Sequence, residues 1–533
     1  MTSLTFYGGV GEVGGNKVLI EDAETRLFLD FGISFHRMGD FYEEFLQPRT
    51  NNALRDQLRL GIVPRVDGIY RSDLLKVEGI DEVLKEHGMG DSSLWETNVK
   101  SYDEIIRERD GKPFVDAVLL SHTHEDHFKH ISLLDEKIPI FCTEITKATI
   151  EVAEDLGRGG FEYEFTAAKG KSLKRTGKTA FFPGAFDLTS GEPRPRQFNT
   201  LAGPISIGNI LVEAIPVDHS VPGGASFLLS LSDGQRVLYT GDLRFHGRRN
   251  DYTEGFWKKV RNLRPNILIT EGTRIDDDAP DSELNVEEGC RKLVSSSAGL
   301  VMVGFAWKDT TRYQTLKTVA EQTGRTLVIS PKLAYLLNKL KDFPESGITD
   351  VLSEKSVRVY LERKESMLYS KQDYVSNKYA IGFSTKWSRG DASTIRTEHY
   401  DRGVRAYEIR QNPTQYIVHM DFFDFNELID LEPPSGSVFI GARSEPFNEE
   451  MKLDEARLKR WLERFHINAP HHEPIYIHAS GHASGPELIQ MIKDIHPQVV
   501  LPIHTEKPQI FGEKLAGTGI EVRIPELGRE IKL

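Results

Sequence analysis

Seven consecutive residues, Ser121-His122-Thr123-His124-Glu125-Asp126-His127, restrict this chain more than any other stretch. They follow an apolar run over 117–120 that reads as a buried strand. Three imidazoles and the Asp126 carboxylate are thereby crowded into the loop at that strand's C-terminal end. Such crowding is costly unless a cation sits among the groups, and these are ligand types that divalent zinc prefers. Four further apolar runs end the same way. Residues 210–217 lead to His219, 237–241 to Asp242, 267–270 to Glu271 and 499–503 to His504. Parallel strands open onto a common rim at their C-terminal ends, so five runs in this register predict one site on one edge of an α/β sheet.

One structural zinc closes at four ligands, whereas seven candidates converge here. They fit two metals: His122, His124 and His219 on one, Asp126, His127 and His504 on the other, with Asp242 bridging. Two ions about 3.5–4 Å apart activate a water and clamp both oxygens of a displacement at phosphorus. Two Zn2+ are expected, and sites of this composition also accept Mn2+. Glu271 and His482 remain for proton chemistry, which makes Asp126, Glu271 and His482 the expected catalytic residues. His482 lies in Ser480-Gly481-His482-Ala483-Ser484, just before a helix predicted over 486–495. Small residues at a helix N-terminus let backbone N–H groups approach a phosphate.

At 533 residues the chain is too long for one ordinary core. The first third reads as β-rich, with strands over 5–7, 17–20 and 26–31. Gly9-Val10-Gly11-Glu12-Val13-Gly14 fits a dinucleotide-binding pattern literally, but a β-favouring run follows it instead of a helix. It is read as a turn between strands near the active rim. Residues 33–112 are polar and carry helices over 80–86 and 102–109. They hold Arg49, Arg55, Arg59, Arg65 and Arg71, and read either as a structural subdomain or as a lid bringing arginines to substrate phosphates. From 286 helix and strand alternate, which predicts a parallel α/β domain inserted into the first. The expected boundaries are 1–274 and 469–533 for the outer domain, with an extended 33–112 insertion, and 275–468 for the inserted one.

Apolar content of 39% and charged content of 28% are those of a soluble globular protein, and no apolar run reaches membrane-span length. Two cysteines, Cys142 and Cys290, exclude a disulfide framework. With no signal-peptide pattern at the N-terminus, the expected compartment is the cytoplasm. The net charge of −13 argues against a generic polyanion surface and for local phosphate binding at the metals. Basic clusters at Lys169-Lys171-Lys174-Arg175, Arg244 to Arg249, and Lys386 with Arg389 read as solvated faces or as a strand-binding groove.

His-x-His-x-Asp-His with the later His219 and Asp242 resembles the metallo-β-lactamase fold, an αββα sandwich. The interrupted topology with Glu271, His482 and His504 is similar to the β-CASP nucleases, whose inserted α/β domain lies between such motifs. Tyr7-Gly8-Gly9-Val10-Gly11-Glu12-Val13-Gly14, Phe305-Ala306-Trp307 with Arg312, Ser480-Gly481-His482-Ala483 and Pro502-Ile503-His504 are similar to the ribonuclease J branch. The resemblance implies zinc at the seven ligands, β-CASP motifs at Glu271, His482 and His504, and single-stranded RNA as substrate. It further implies 5′→3′ exonuclease action preferring 5′-monophosphate ends, with endonuclease activity in some members, and phosphate contacts from Ser480 to Ser484. A homodimer stays open. His504-Thr505-Glu506 departs from the family's usual His-Gly-Glu, and the family's bacterial C-terminal domain has no counterpart in these 533 residues. Two other readings stand beside it: a phosphodiesterase of DNA or small nucleotides, and a non-catalytic RNA-binding subunit.

Overall fold

A computed structural model describes residues 2–533, except 44, 50–51, 87, 89–94, 158, 176–185, 280–281, 364–368, 376–394 and 444–448. Two seven-stranded sheets and one six-stranded sheet carry the architecture. The buried strand Ala117–Leu119 shows how the first is built. Ala117 and Leu119 face the second sheet, while Val118 and the following Leu120 face the helices outside. A strand covered on both faces needs apolar residues at every position, which is why it reads as an unbroken run. The same split recurs in the second sheet, where Ile267 and Ile269 point inward and Leu268 outward. Helices Asn250–Leu263 and Gly485–Ile495 cover its outer side. The four layers are the αββα sandwich expected from the resemblance.

The third sheet is wholly parallel, built from Val301–Gly304, Thr326–Ile329, Val357–Val359, Tyr416–His419, Val438–Gly441 and Ile475–Tyr476. Its two faces are again separately packed, with Val301 and Val303 on one side and Leu300 and Met302 on the other. One expectation shifts here. Ile475–Tyr476 pairs with Ile440 and Gly441, so the inserted sheet takes its last strand from beyond residue 468. The chain returns to the second sheet only at Val499–Pro502, which pairs with Ile267–Thr270. A two-stranded hairpin, Ala167–Arg175 with Phe186–Pro195, was not expected. Lysine, glycine and proline make up seven of its nineteen residues, and these are depleted in strands. Among the described residues no helix is long and apolar enough to cross a membrane.

Candidate metal centre

Strand pairing carries the polar ends to one place. Tyr239 pairs in parallel with Ile269 and Ile269 with Leu501, so Asp242, Glu271 and His504 leave three adjacent strand ends. On the facing sheet Leu29 pairs with Leu119, which sets Asp30 beside Ser121 and the short helix Glu125–Phe128. Asp242 Oδ2 lies 3.5 Å from His122 Nε2, 3.1 Å from His127 Nε2, 3.8 Å from His219 Nε2 and 3.7 Å from His504 Nε2. His124 Nδ1 is 3.2 Å from His122 Nε2 and 2.9 Å from His219 Nε2. Asp126 Oδ2 is 3.1 Å from His504 Nε2 and 3.8 Å from His127 Nε2. Donors around a tetrahedral zinc, with bonds of about 2.0–2.1 Å, sit about 3.3 Å apart, and these spacings bracket that value.

The donors fall into groups able to hold an ion: His122, His124, His219 and Asp242; then Asp126, His127 and His504. A third joins Asp242 and His504 to Glu271 and His482. His127 Nε2 and Asp242 Oδ1 are buried with no hydrogen-bond partner among the described residues. Buried polar atoms are ordinarily paired, and two unpaired ones among these donors fit residues that would hold a cation.

Outer hydrogen bonds decide which nitrogen of each ring faces inward. His219 Nδ1 donates to the Gly481 carbonyl at 2.6 Å, and His127 Nδ1 to Asp30 Oδ2 at 2.7 Å. Ser121 Oγ gives its proton to Asp30 Oδ2, so it accepts from His122 Nδ1 at 2.9 Å. Thr273 Oγ1 stands 2.8 Å from His504 Nδ1. In these four rings Nε2 is thus left to bind a metal, whereas His124 turns Nδ1 inward and has Nε2 3.4 Å from Ser220 Oγ. Burial holds His122 and His219 neutral, their pKa values well below the usual imidazole value, and drops His124 to about 4. Burial works against the charge on Asp242 and Asp126 too, yet the surrounding imidazoles outweigh it and hold both carboxyls below their ordinary value. Burial is also outweighed at His127, where Asp242 and Asp126 raise the imidazole. The neutral His122, His124 and His219 beside two ionised carboxylates attract a cation, and an ion bound at His127 would take the place of its proton.

Glu271 and His482 form a pair beside this cluster. His482 Nδ1 donates to Glu271 Oε2 at 2.8 Å, while Glu271 Oε1 accepts from the Leu243 N–H at 3.0 Å. Burial opposes protonation of His482, but Glu271 and then Asp242 prevail and raise its pKa to about 9. The side chains of Glu271, Asp242 and His504 are 1% exposed, against 18% for His482 and 15% for Asp126. These two and His124 are the more exposed members of the cluster.

Several expectations change. The N–H groups of His482, Ala483 and Ser484 already bond to Ser480 Oγ, the Leu243 carbonyl and Glu487 Oε2. Those three are therefore not open to a phosphate, because the turn into the helix uses them as internal ties. Among the described residues of 33–112, four of the five arginines read as a lid are tied down: Arg71 is fully buried on Asp73 and Glu164, Arg49 and Arg55 pair with Asp56, and Arg59 bonds the Glu96 carbonyl, while Arg65 is exposed. Arg244 is no solvated cation either, being fully buried. Lys386 and Arg389 lie outside the described residues. Gly9 to Gly14 forms a turn between strands whose Gly14, at φ +83°, packs on the Asp126 side chain, where a Cβ would meet Oδ2 at 2.4 Å.

Sequence reasoning missed Asp30. This fully buried residue sits at φ +58° and accepts from the Ser121 N–H, Ser121 Oγ, Tyr239 Oη and His127 Nδ1. Tyr239 Oη in turn accepts from Asn16 Nδ2 at 3.1 Å. The signal was present: Asp30 follows an apolar run as the ligands do, but only its position behind His127 marks it as a support.

Comparisons with known proteins bear on the fold and the family. Residues 100–303 match the beta-lactamase superfamily domain, and residues 474–525 the Zn-dependent metallo-hydrolase RNA specificity domain. The chain is 21% identical over 422 residues to ribonuclease J of Sinorhizobium meliloti, covering 78% of this chain and 61% of that one. It is 21% identical over 543 residues to ribonuclease J of Helicobacter pylori, covering 98% and 58%. With ribonuclease J of Pyrococcus abyssi the identity is 21% over 522 residues, covering 95% and 90%. The chain thus spans about three-fifths of the length of the two bacterial relatives. A crystal structure of a protein of unknown function from Enterococcus faecalis V583 shares the fold, with a TM-score of 0.64, 23% identity and full coverage of both chains. In sequence and domain content the chain resembles a β-CASP nuclease of the ribonuclease J type.

Proposed function

We propose that this chain is a metal-dependent ribonuclease that hydrolyses phosphodiester bonds of single-stranded RNA. The observation that carries the reading is the convergence of five inward-facing imidazoles and two carboxylates beside the His482–Glu271 pair. His122, His124 and His219 would hold one ion, Asp126, His127 and His504 a second, and Asp242 would serve both. When bound, such ions supply Lewis acidity, lowering the pKa of water and offsetting charge on the phosphate. The protein's own part is orientation and proton transfer. Asp30, Ser121, Thr273 and the Gly481 carbonyl fix the imidazole rings, so no reorganisation is needed at the moment of reaction. Glu271 fixes His482 through Nδ1, which leaves Nε2 to carry a proton to the leaving oxygen.

RNA is favoured as substrate by the RNA specificity domain match and by the named relatives. By the same similarity we place the enzyme among 5′→3′ exonucleases preferring 5′-monophosphate ends, with endonuclease activity as a second mode. The net charge of −13 favours a short-substrate phosphodiesterase instead, and one assay separates the two. Matched RNA and DNA oligonucleotides bearing 5′-monophosphate, 5′-triphosphate or 5′-hydroxyl are followed over time, with Asp126→Ala as control. Mononucleotides released fastest from 5′-monophosphate RNA, and lost in the variant, are the expected result. Internal fragments insensitive to the 5′ end would make it an endonuclease. Cleavage of short nucleotides alone would favour the phosphodiesterase, and bound zinc with no cleavage at all a binding subunit.

A further inference from the structure

The loop that carries His482 is held by its carbonyls in an unusual way. Four successive carbonyl oxygens each accept from a side chain of a different segment. Ala479 O accepts from Arg312 Nη2 at 3.2 Å, and Ser480 O from Arg244 Nη1 at 3.2 Å and His246 Nε2 at 3.0 Å. Gly481 O accepts from His219 Nδ1 at 2.6 Å, and His482 O from Arg274 Nη1 at 3.3 Å. Most of these donors come from the outer domain. Arg312 does not: it lies in the first turn of Thr310–Thr323, a helix of the inserted domain.

Arg312 is fully buried, and its charge is met there by a carboxylate that is equally buried. Nη2 stands 2.9 Å from Glu283 Oε1, Thr315 Oγ1 donates to Glu283 Oε2 at 2.9 Å, and Arg312 Nη1 also donates to the Ala442 carbonyl. Glu283 Oε1 lies 3.5 Å from Arg244 Nη1 as well, which joins the two arginines through one carboxylate. A buried guanidinium whose donors fork in fixed directions transmits position well, because its geometry is planar and its charge permanent. We propose that Arg312, held by Glu283, is a positioning residue for His482: the inserted domain sets where the proton donor stands. This rests on the ribonuclease reading above and names the part the second domain plays at that site.

The test uses the zinc-loaded full chain with Arg312→Lys, Glu283→Gln, His482→Ala and the double variant His482→Ala/Arg312→Lys. Two substrates are compared: a single-stranded RNA oligonucleotide and a phosphodiester with a p-nitrophenolate leaving group. The alkoxide of RNA needs a proton to depart, whereas p-nitrophenolate does not. Arg312→Lys is expected to lower kcat on RNA by about 10–100-fold and on the p-nitrophenyl ester by less than about 3-fold, since a displaced group costs rate only where it acts. KM and bound zinc should stay unchanged, Glu283→Gln should follow Arg312→Lys, and the lysine should cost nothing further once His482 is alanine. Wild-type kcat in Arg312→Lys, equal losses on both substrates, or a full additional loss in the double variant would overturn the assignment. Should the unaltered chain cleave neither substrate, the ribonuclease reading falls, and hydrogen exchange still judges the strap. Faster exchange of the amides from Ser480 to Ala483 in Arg312→Lys supports it; unchanged exchange there rejects it.

Discussion

At the scale of single residues, the metal centre is a set of rings with one nitrogen tied outward and the other left inward. Asp30 does the most tying, since one buried carboxylate accepts from Ser121, Tyr239 and His127. Outer partners of metal-binding histidines ordinarily account for about 10–100-fold in affinity. Asp30→Asn, which keeps the size but loses the charge facing His127, should weaken zinc binding by that order. Competition against a chelator reads it directly, and unaltered affinity would show that Asp30 serves the fold alone. His482 should behave in the opposite manner. His482→Ala is expected to reduce turnover on RNA by about 10²–10⁴-fold with zinc content intact. Loss of metal from that variant would mean that His482 is itself a ligand, as its place in the third donor group allows.

At the scale of elements, the site depends on strand ends in register and on glycines where two loops touch. Gly32 follows the strand Thr25–Leu29, and a Cβ there would lie 1.7 Å from the Asp126 carbonyl oxygen. Backbone on both sides leaves nothing flexible to yield, so the metal-binding loop would have to move. Gly32→Ala should destabilise the chain by about 1–3 kcal/mol, the usual cost of overpacking, and release zinc with it. A wild-type melting temperature and zinc content would contradict the contact. The register was legible from sequence because doubly covered strands are apolar throughout and end abruptly in polar residues. The hairpin Ala167–Arg175 with Phe186–Pro195 was not legible. It is tied down by Arg71, which donates to the Lys169 carbonyl at 3.0 Å, and by Asp73, which accepts from the Lys171 N–H at 2.9 Å.

At the scale of the whole molecule, buried titratable groups also occur far from the metal centre, on the wholly parallel sheet. In the inserted domain His419 stacks on Phe305 with ring centroids 4.0 Å apart, and its Nε2 donates to the Phe305 carbonyl at 2.9 Å. Burial lowers its pKa from 6.5 to about 4. The unfolded chain therefore takes up a proton between these values that the folded chain refuses. Stability is lost as pH falls from about 6.5 towards 4, by about 3 kcal/mol at most, and is fully present above 6.5. His419→Gln should flatten the fall in unfolding free energy measured by urea between pH 7 and pH 4.5. Equal slopes in the two proteins would remove His419 as the cause. Comparing variant with wild type cancels the acid release of metal, which both share.

The convergence of seven polar side chains, the sandwich and a separate parallel sheet were all readable along the chain. Each leaves a local mark: histidines too dense for a solvated loop, apolar runs too complete for an exposed sheet, and a change from strand-rich to alternating pattern after residue 286. What could not be read were the relations between distant segments. Asp30 behind His127, Arg312 on the His482 loop, and the burial of Arg71 and Arg244 come from side chains 39 to 236 residues removed from the atoms they hold. The separation from Asp30 to His127 is 97, from Arg71 to Glu164 is 93, and from Arg312 to Ala479 is 167. An arginine looks the same in sequence whether it meets water or a buried carboxylate, because its partner's identity is set by packing and not by its neighbours in the chain. The same physics explains why the turn before Gly485–Ile495 looked open to phosphate. Its small residues are equally suited to a ligand and to close packing, and in the folded protein Glu487, Leu243 and Ser480 take the N–H groups first.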